Sequence, residues 1–162
     1  MNDTIYNNIF DAHAHYDDKR FDIDRKEIFN TLQSKGVCGI INNAIDIETT
    51  KISIDYAEKY PYIYATAGIH PQSVENNLPA NYKEVIASYL KHPKVVAIGE
   101  IGLEYHYDIP KNLQIPVVKE QIELAKDFDM PMVFHDREAH LDTINILKKY
   151  RPGYSSLFFG KR

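Results

Sequence analysis

At 162 residues the chain has room for one domain with a real core and little more. Its 44% hydrophobic and 26% charged residues are ordinary for a soluble globular protein. A net charge of −4 and a pI of about 6.0 argue against a broad basic surface for gripping nucleic acid, although bound cations can supply positive charge locally.

Cys38 is the single cysteine and lies in an apolar run, so no disulfide can form within the chain and a reducing, cytoplasmic setting is expected. The N-terminus is polar and lacks the apolar core of a signal peptide. No apolar stretch approaches the length that spans a bilayer, so no membrane association is expected.

Strand and helix patterns alternate along the chain. Ile9 and Phe10 lead in as an apolar strand. Phe21, Ile28, Phe29 and Leu32 recur at helical spacing and predict a first helix stopped by Gly36. Residues 37–41 form a continuous apolar run, as expected of a strand buried on both faces. Asp46 can cap a second helix that carries Ile47, Ile54 and Ala57 inward and ends before Pro61. A third strand is expected over 62–69. Tyr82, Val85, Ile86, Tyr89 and Leu90 form the i, i+3, i+4, i+7, i+8 stripe of a third helix. A fourth strand over 95–99 follows, then a fourth helix marked by Val118, Ile122, Ala125 and Phe128. A short fifth strand over 132–134 precedes a fifth helix marked by Leu141, Ile144 and Leu147, and residues 154–159 can open a sixth strand.

This alternation implies βαβ units and a parallel sheet. No glycine-rich phosphate loop follows the first strand, which weakens a dinucleotide-binding reading. Instead, polar and ionisable residues follow several strands: His13 and His15, Asn42 and Asn43, His70, Glu100 and His135. Chemistry drawn from the carboxyl ends of many strands is the habit of the (β/α)₈ barrel, which takes about 250 residues. The expected fold is therefore an incomplete (β/α)₈ TIM-type barrel, a single partial domain over 1–162 with five βα units and a sixth strand.

Asp11-Ala12-His13-Ala14-His15 ends the first strand. Residues two apart share a strand face, so His13 and His15 project the same way, with Asp11 one step behind. Two neutral imidazoles held that close suit one metal ion; two surface histidines in a loop are the alternative. Glu100, in Ile98-Gly99-Glu100-Ile101-Gly102-Leu103-Glu104, sits at the expected end of the fourth strand. A carboxylate there can bridge two metal ions, or it is an exposed loop residue. For Glu104, support of the site, substrate contact and a solvated loop are all open.

His135 closes the fifth strand as a metal ligand or as a structural histidine. Arg137 has a planar fork suited to phosphate or carboxylate, unless Asp136 or Glu138 pairs with it. His70, in Gly68-Ile69-His70-Pro71, can face the same mouth and touch substrate, or simply occupy a turn. His92 reads as structural and His140 as solvated within the fifth helix, while His106 is undecided. The tyrosines at helical spacing read as packing.

With these motifs assembled, the chain resembles the TatD-like metal-dependent hydrolases, often described as TatD-type deoxyribonucleases, from residue 10 to about residue 150. The pieces are Phe10-Asp11-Ala12-His13-Ala14-His15, Gly68-Ile69-His70-Pro71, Ile98-Gly99-Glu100-Ile101-Gly102-Leu103 and His135-Asp136-Arg137-Glu138-Ala139. Their order and spacing carry the resemblance. It implies a (β/α)₈ barrel with two divalent metal ions at its carboxyl mouth, with Mg, Mn and Zn not distinguished. His13 and His15 would bind one metal, Glu100 would bridge, and His135 would bind the second. His70 and Arg137 would position the phosphate of a DNA or other phosphodiester substrate for hydrolysis.

The family also carries a Gly-x-x-His-Cys-Phe-Ser-Gly pattern after its sixth strand. Gly153, Phe158 and Gly160 align with it, and Ser156 falls at the histidine. The family's aspartate after the eighth strand has no counterpart in these residues. The chain is therefore expected to be C-terminally shortened, with weak metal binding, poor DNA hydrolysis and self-association through open sheet edges. Two other readings stand beside this one. The first is a related metallohydrolase acting on a non-nucleic-acid substrate, many of which bridge their metals with a modified lysine where Glu100 stands. The second is a non-catalytic fragment.

Overall fold

Each helix returns the chain to lay the next strand beside the last, so six strands pair in plain chain order, all parallel. The structure, a computed structural model, describes residues 7–75, 78–150 and 157–160. The strands are β1 (Ile9–Ala14), β2 (Val37–Asn42), β3 (Ile63–Ala67), β4 (Val95–Glu104), β5 (Met132–Arg137) and β6 (Leu157–Gly160). Between them run α1 (Arg25–Thr31), α2 (Ile47–Lys59), α3 (Tyr82–Tyr89), α4 (Lys111–Asp127) and α5 (His140–Tyr150). A doubly wound sheet reverses its strand order partway; here the order never reverses, which is the winding of a barrel wall. The expected start of the sixth strand at Tyr154, and Ser156 at the histidine position, lie outside the described residues.

Most expected elements form, and the departures have physical causes. Phe21 is not part of the first helix but ends a separate 3₁₀ turn, Lys19–Phe21. The Asp18 carboxylate caps that turn through the Arg20 N–H at 2.9 Å. The Arg25 guanidinium donates to the Asp17 and Asp18 carbonyls at 3.3 and 2.9 Å and to the Asp22 carboxylate at 2.7 Å, so the helix proper begins only at Arg25. Gly36 does end the segment, in the left-handed region at φ 94°. The cap at Asp46 is a full capping box: its carboxylate accepts from Thr49 N–H at 2.8 Å, and Thr49 Oγ1 accepts from Asp46 N–H at 2.9 Å.

The second strand is not buried on both faces throughout. Cys38 is exposed and donates its thiol to the Ile9 carbonyl, and Ile41 is only half-buried. On the fifth helix the inward face is one position off the expected one. Thr143, Ile146, Leu147 and Tyr150 make the i, i+3, i+4, i+7 stripe that meets the core, while Leu141 is 74% exposed. The polar Thr143 hides that stripe from a count of apolar residues.

The larger core joins β3, β4 and β5 to α2–α5, with Ile98, Ile101, Leu103, Ile122 and Phe134 at its centre. Ala14, Phe29, Ile40, Ala57, Tyr62 and Ile63 form a second cluster under β1 and β2. Both the fourth and fifth strands run past their expected ends, and this matters for the site. β4 continues to Glu104 because a register shift after Ile98 lets Ile101, Gly102, Leu103 and Glu104 pair with Phe134, His135, Asp136 and Arg137 of β5. The Gly99–Glu100 peptide is cis. Gly102 sits at φ +143° with its α-carbon against the His135 carbonyl, a place no side chain fits. Glu100 and His135 are thus held within strands, not on loops.

Candidate metal centre

The local chemistry of β1 sets the first half of the site. His13 and His15 point the same way, with their Nε2 atoms 3.2 Å apart. The chain beyond them is fixed by the buried Asn42, whose Oδ1 accepts from Tyr16 N–H at 2.6 Å and whose Nδ2 donates to Asp17 and Ser53. Glu100 reaches them from β4. Its backbone N–H donates to the Ala44 carbonyl at 2.7 Å, and the Thr66 hydroxyl ties Ala44 N–H to the Gly99 carbonyl. Glu100 is 5% exposed, and its Oε2 lies 3.2 Å from His13 Nε2 and 3.3 Å from His15 Nε2.

The other carboxylate oxygen faces the second half. Glu100 Oε1 is 3.3 Å from His135 Nδ1, and His135 Nε2 is 3.0 Å from Oε2 of the fully buried Glu104. His70 stacks edge-on against His135 at 4.3 Å between centroids. Among the described residues, two groups have ligand atoms within 4.8 Å of one another: His13, His15 and Glu100, and His70, Glu100 and His135. Glu100 belongs to both. Imidazole nitrogens around a buried, shared carboxylate make a donor set that fits borderline divalent cations.

Helix α4 holds this arrangement in place with two buried glutamines. Gln121 accepts from Ile69 N–H at 2.7 Å and donates to the Ile69 carbonyl at 3.0 Å, fixing the residue before His70. Gln114 does the same for Glu104, at 2.8 and 2.9 Å. His15, His70, Glu100, Glu104, His135 and Arg137 all border one cavity of about 270 Å³. Asp136 pairs with His140 at 2.8 Å and Glu138 with His106 at 2.9 Å, while the Arg137 guanidinium lies 5.2 Å from the centre of the Tyr107 ring. His140 is the first residue of α5 and exposed, and His92 pairs with Glu58 away from the cavity.

All six expected residues therefore meet at one end of the sheet. The open question over Glu104 resolves to a buried partner of His135. Gln114 and Gln121 gave no signal in the sequence, because their partners are backbone groups brought near only by the fold; Asn42 was marked only by its place after the second strand.

Burial alone would push the Glu100 carboxyl up, but hydrogen bonds from His13, His135 and His15, with the nearby His70, outweigh it and hold it well below the usual carboxylate range. Burial likewise works against charge on His135, and the carboxylates of Glu100 and Glu104 overcome it, raising the imidazole above its ordinary 6.5. Without metal, that raised value stabilises the fold at acidic pH, and the contribution is lost as pH rises through it. Cation binding runs the opposite way, because a ligating nitrogen must first release its proton. The rise in melting temperature on adding Mn²⁺ is accordingly expected to be larger at pH 8 than at pH 6. An equal rise at both pH values would show that His135 releases no proton when the cation binds.

An unreversed parallel sheet with imidazoles and a shared carboxylate at one end is part of a (β/α) barrel wall carrying a candidate cation site. The model of the TatD related DNase family matches residues 10–158, and the chain belongs to that family. It is 38% identical over 146 residues to YabD of Bacillus subtilis (strain 168), described as an uncharacterized metal-dependent hydrolase, covering 87% of this chain and 55% of YabD. It is 29% identical over 137 residues to the 3'-5' ssDNA/RNA exonuclease TatD of Salmonella typhimurium, covering 82% of this chain and 51% of that enzyme. The crystal structure of YjjV, a TatD homologue from Escherichia coli K12, superposes with a TM-score of 0.86 at 30% identity, over 95% of this chain and 60% of YjjV. The chain thus spans about half the length of the curated relatives it matches. None of its described helices is long and apolar enough to cross a membrane.

Proposed function

We propose that this chain holds divalent cations for the hydrolysis of phosphodiester bonds in single-stranded nucleic acid. The observation that carries this reading is the Glu100 carboxylate, buried and shared between the His13–His15 pair on one side and His135 on the other. His13 and His15 would hold one divalent cation, His135 the second, and Glu100 both. Cations so held supply polarisation of a phosphoryl oxygen and acidification of water near neutral pH. The side chains named give fewer donors per cation than the four of a tetrahedral site, so water, substrate or further residues complete each set.

Glu104 keeps its carboxylate on His135 Nε2 and so presents Nδ1 toward Glu100, an arrangement that would become a carboxylate–histidine–metal triad with a cation bound. His70 plays a different part. Its Nδ1 accepts from Gln72 N–H at 3.1 Å, which puts the proton of the neutral ring on Nε2. His70 is then a hydrogen-bond donor, suited to a substrate phosphoryl oxygen rather than to a cation. Arg137, on the same cavity, supplies a charged fork for that phosphate.

A substrate panel tests the reading. With Mn²⁺ or Zn²⁺, single-stranded DNA and RNA oligonucleotides are expected to be shortened slowly, as the weak metal binding expected from the sequence implies, and EDTA to stop the reaction. Turnover of a lactone or a phosphotriester with intact oligonucleotides would favour the related metallohydrolases instead. Self-association through the outer strands is also proposed, and a monodisperse 18.8 kDa species in light scattering would contradict it.

A further inference from the structure

We infer that Tyr107 receives an unpaired nucleobase of the substrate by stacking, while Arg137 beside it holds the adjoining phosphate; this rests on the nucleic-acid reading above. Tyr107 lies between β4 and α4, is 48% exposed, and borders the same cavity as Glu100 and His135. Exposure alone would mean little, since single exposed aromatics are common on protein surfaces. What sets Tyr107 apart is how its ring is held. The Arg137 guanidinium lies over one face of the ring, 5.2 Å from its centre, so a base would take the other face, and the His106 imidazole meets the ring edge-on at 5.0 Å and 80°. His106 is itself anchored to Glu138 at 2.9 Å.

The backbone around the ring is fixed as well. Tyr105 N–H donates to the Arg137 carbonyl at 2.9 Å, and His106 N–H to the Glu104 carboxylate at 2.8 Å. Ile109 N–H closes onto the Tyr107 carbonyl at 2.8 Å, and the buried Gln114 holds the Ile109 carbonyl. An aromatic placed in advance loses little freedom when a ligand arrives. Every base presents a π-face, so such a platform takes a single strand without regard to sequence, and only where the base is unpaired. The charge on the cavity agrees with this placement: among the described residues lining it, Arg137 is the one lysine or arginine, and it stands beside Tyr107.

Fluorescence anisotropy of short, labelled phosphorothioate oligonucleotides, which resist cleavage, tests the inference on the full chain with Mn²⁺. One oligomer carries thymine throughout; the other has abasic 3′-terminal nucleotides. Tyr107→Ala is expected to weaken binding of the thymine oligomer by about tenfold, the usual effect of removing one stacking ring, and to leave the abasic oligomer unchanged. Tyr107→Phe keeps the ring and should bind both as the unmutated chain does. Arg137→Ala should weaken both. Equal loss on both oligomers for Tyr107→Ala, or no loss on either, would overturn the stacking role while leaving the nucleic-acid reading standing. If the unmutated chain binds neither oligomer, the nucleic-acid reading itself fails and takes this inference with it.

Discussion

Glu100→Ala is expected to lower kcat/KM on oligonucleotides by on the order of a thousandfold or more, equivalent to about 4 kcal/mol of transition-state stabilisation. The reason is geometric. The two oxygens of this carboxylate serve different imidazole sets, Oε2 facing His13 and His15 and Oε1 facing His135. One substitution would therefore disable both proposed cation positions, whereas His13→Ala would remove one nitrogen from one of them and should cost less. Glu100→Gln keeps the shape but not the charge, and should resemble the alanine variant. Initial rates at fixed Mn²⁺ measure all three. Glu100→Ala retaining a tenth or more of the activity would show that the carboxylate is not the common ligand.

Gly102→Ala should be the most destabilising single methyl in the described part of the chain, costing about 3 kcal/mol or more. At φ +143° an L-residue is strained whatever the space around it, and here the added carbon would fall 2.0 Å from the His135 carbonyl oxygen. The neighbour is strand backbone that cannot swing aside, because β4 and β5 pair through this position. The effect should reach the site too, since Glu104 lies two residues on and His135 is the residue opposite. Urea unfolding midpoints give the measure. Gly36→Ala, at φ 94° in a half-buried turn, serves as the comparison for strain at a helix end. A Gly102→Ala chain as stable as Gly36→Ala would mean that β4 shifts freely and does not fix the site.

The barrel-type winding was legible because its signals are local. Apolar runs, helical stripes, Gly36 and Asp46 each mark an element within a few residues of themselves, and βα alternation orders the strands. His13 and His15 were legible for the same reason: two residues apart at a strand end, they project the same way. Glu100 and His135 stood out as ionisable groups beside apolar strands, but the fourth strand was expected to end at residue 99, where β4 in fact bulges and continues. That bulge brings Glu104 opposite Arg137 and onto His135, a contact across 31 residues that no local pattern encodes. Gln114 and Gln121 escaped notice because a polar residue on a helix usually faces water, and only the folded chain shows each one turned inward onto backbone groups. Leu141 misled in the opposite sense, as an apolar residue that stays exposed.

The most direct measurement is a thermal melt of the 162-residue chain in EDTA and then in excess Mn²⁺ or Zn²⁺, beside His13→Ala. A ligand that binds only the folded state raises the midpoint as its concentration rises. If His13, His15, Glu100 and His135 hold divalent cations, the midpoint climbs with metal in the unmutated chain, and His13→Ala removes most of the climb. A cooperative melt that ignores metal, or a climb that His13→Ala leaves intact, would contradict the metal centre described above.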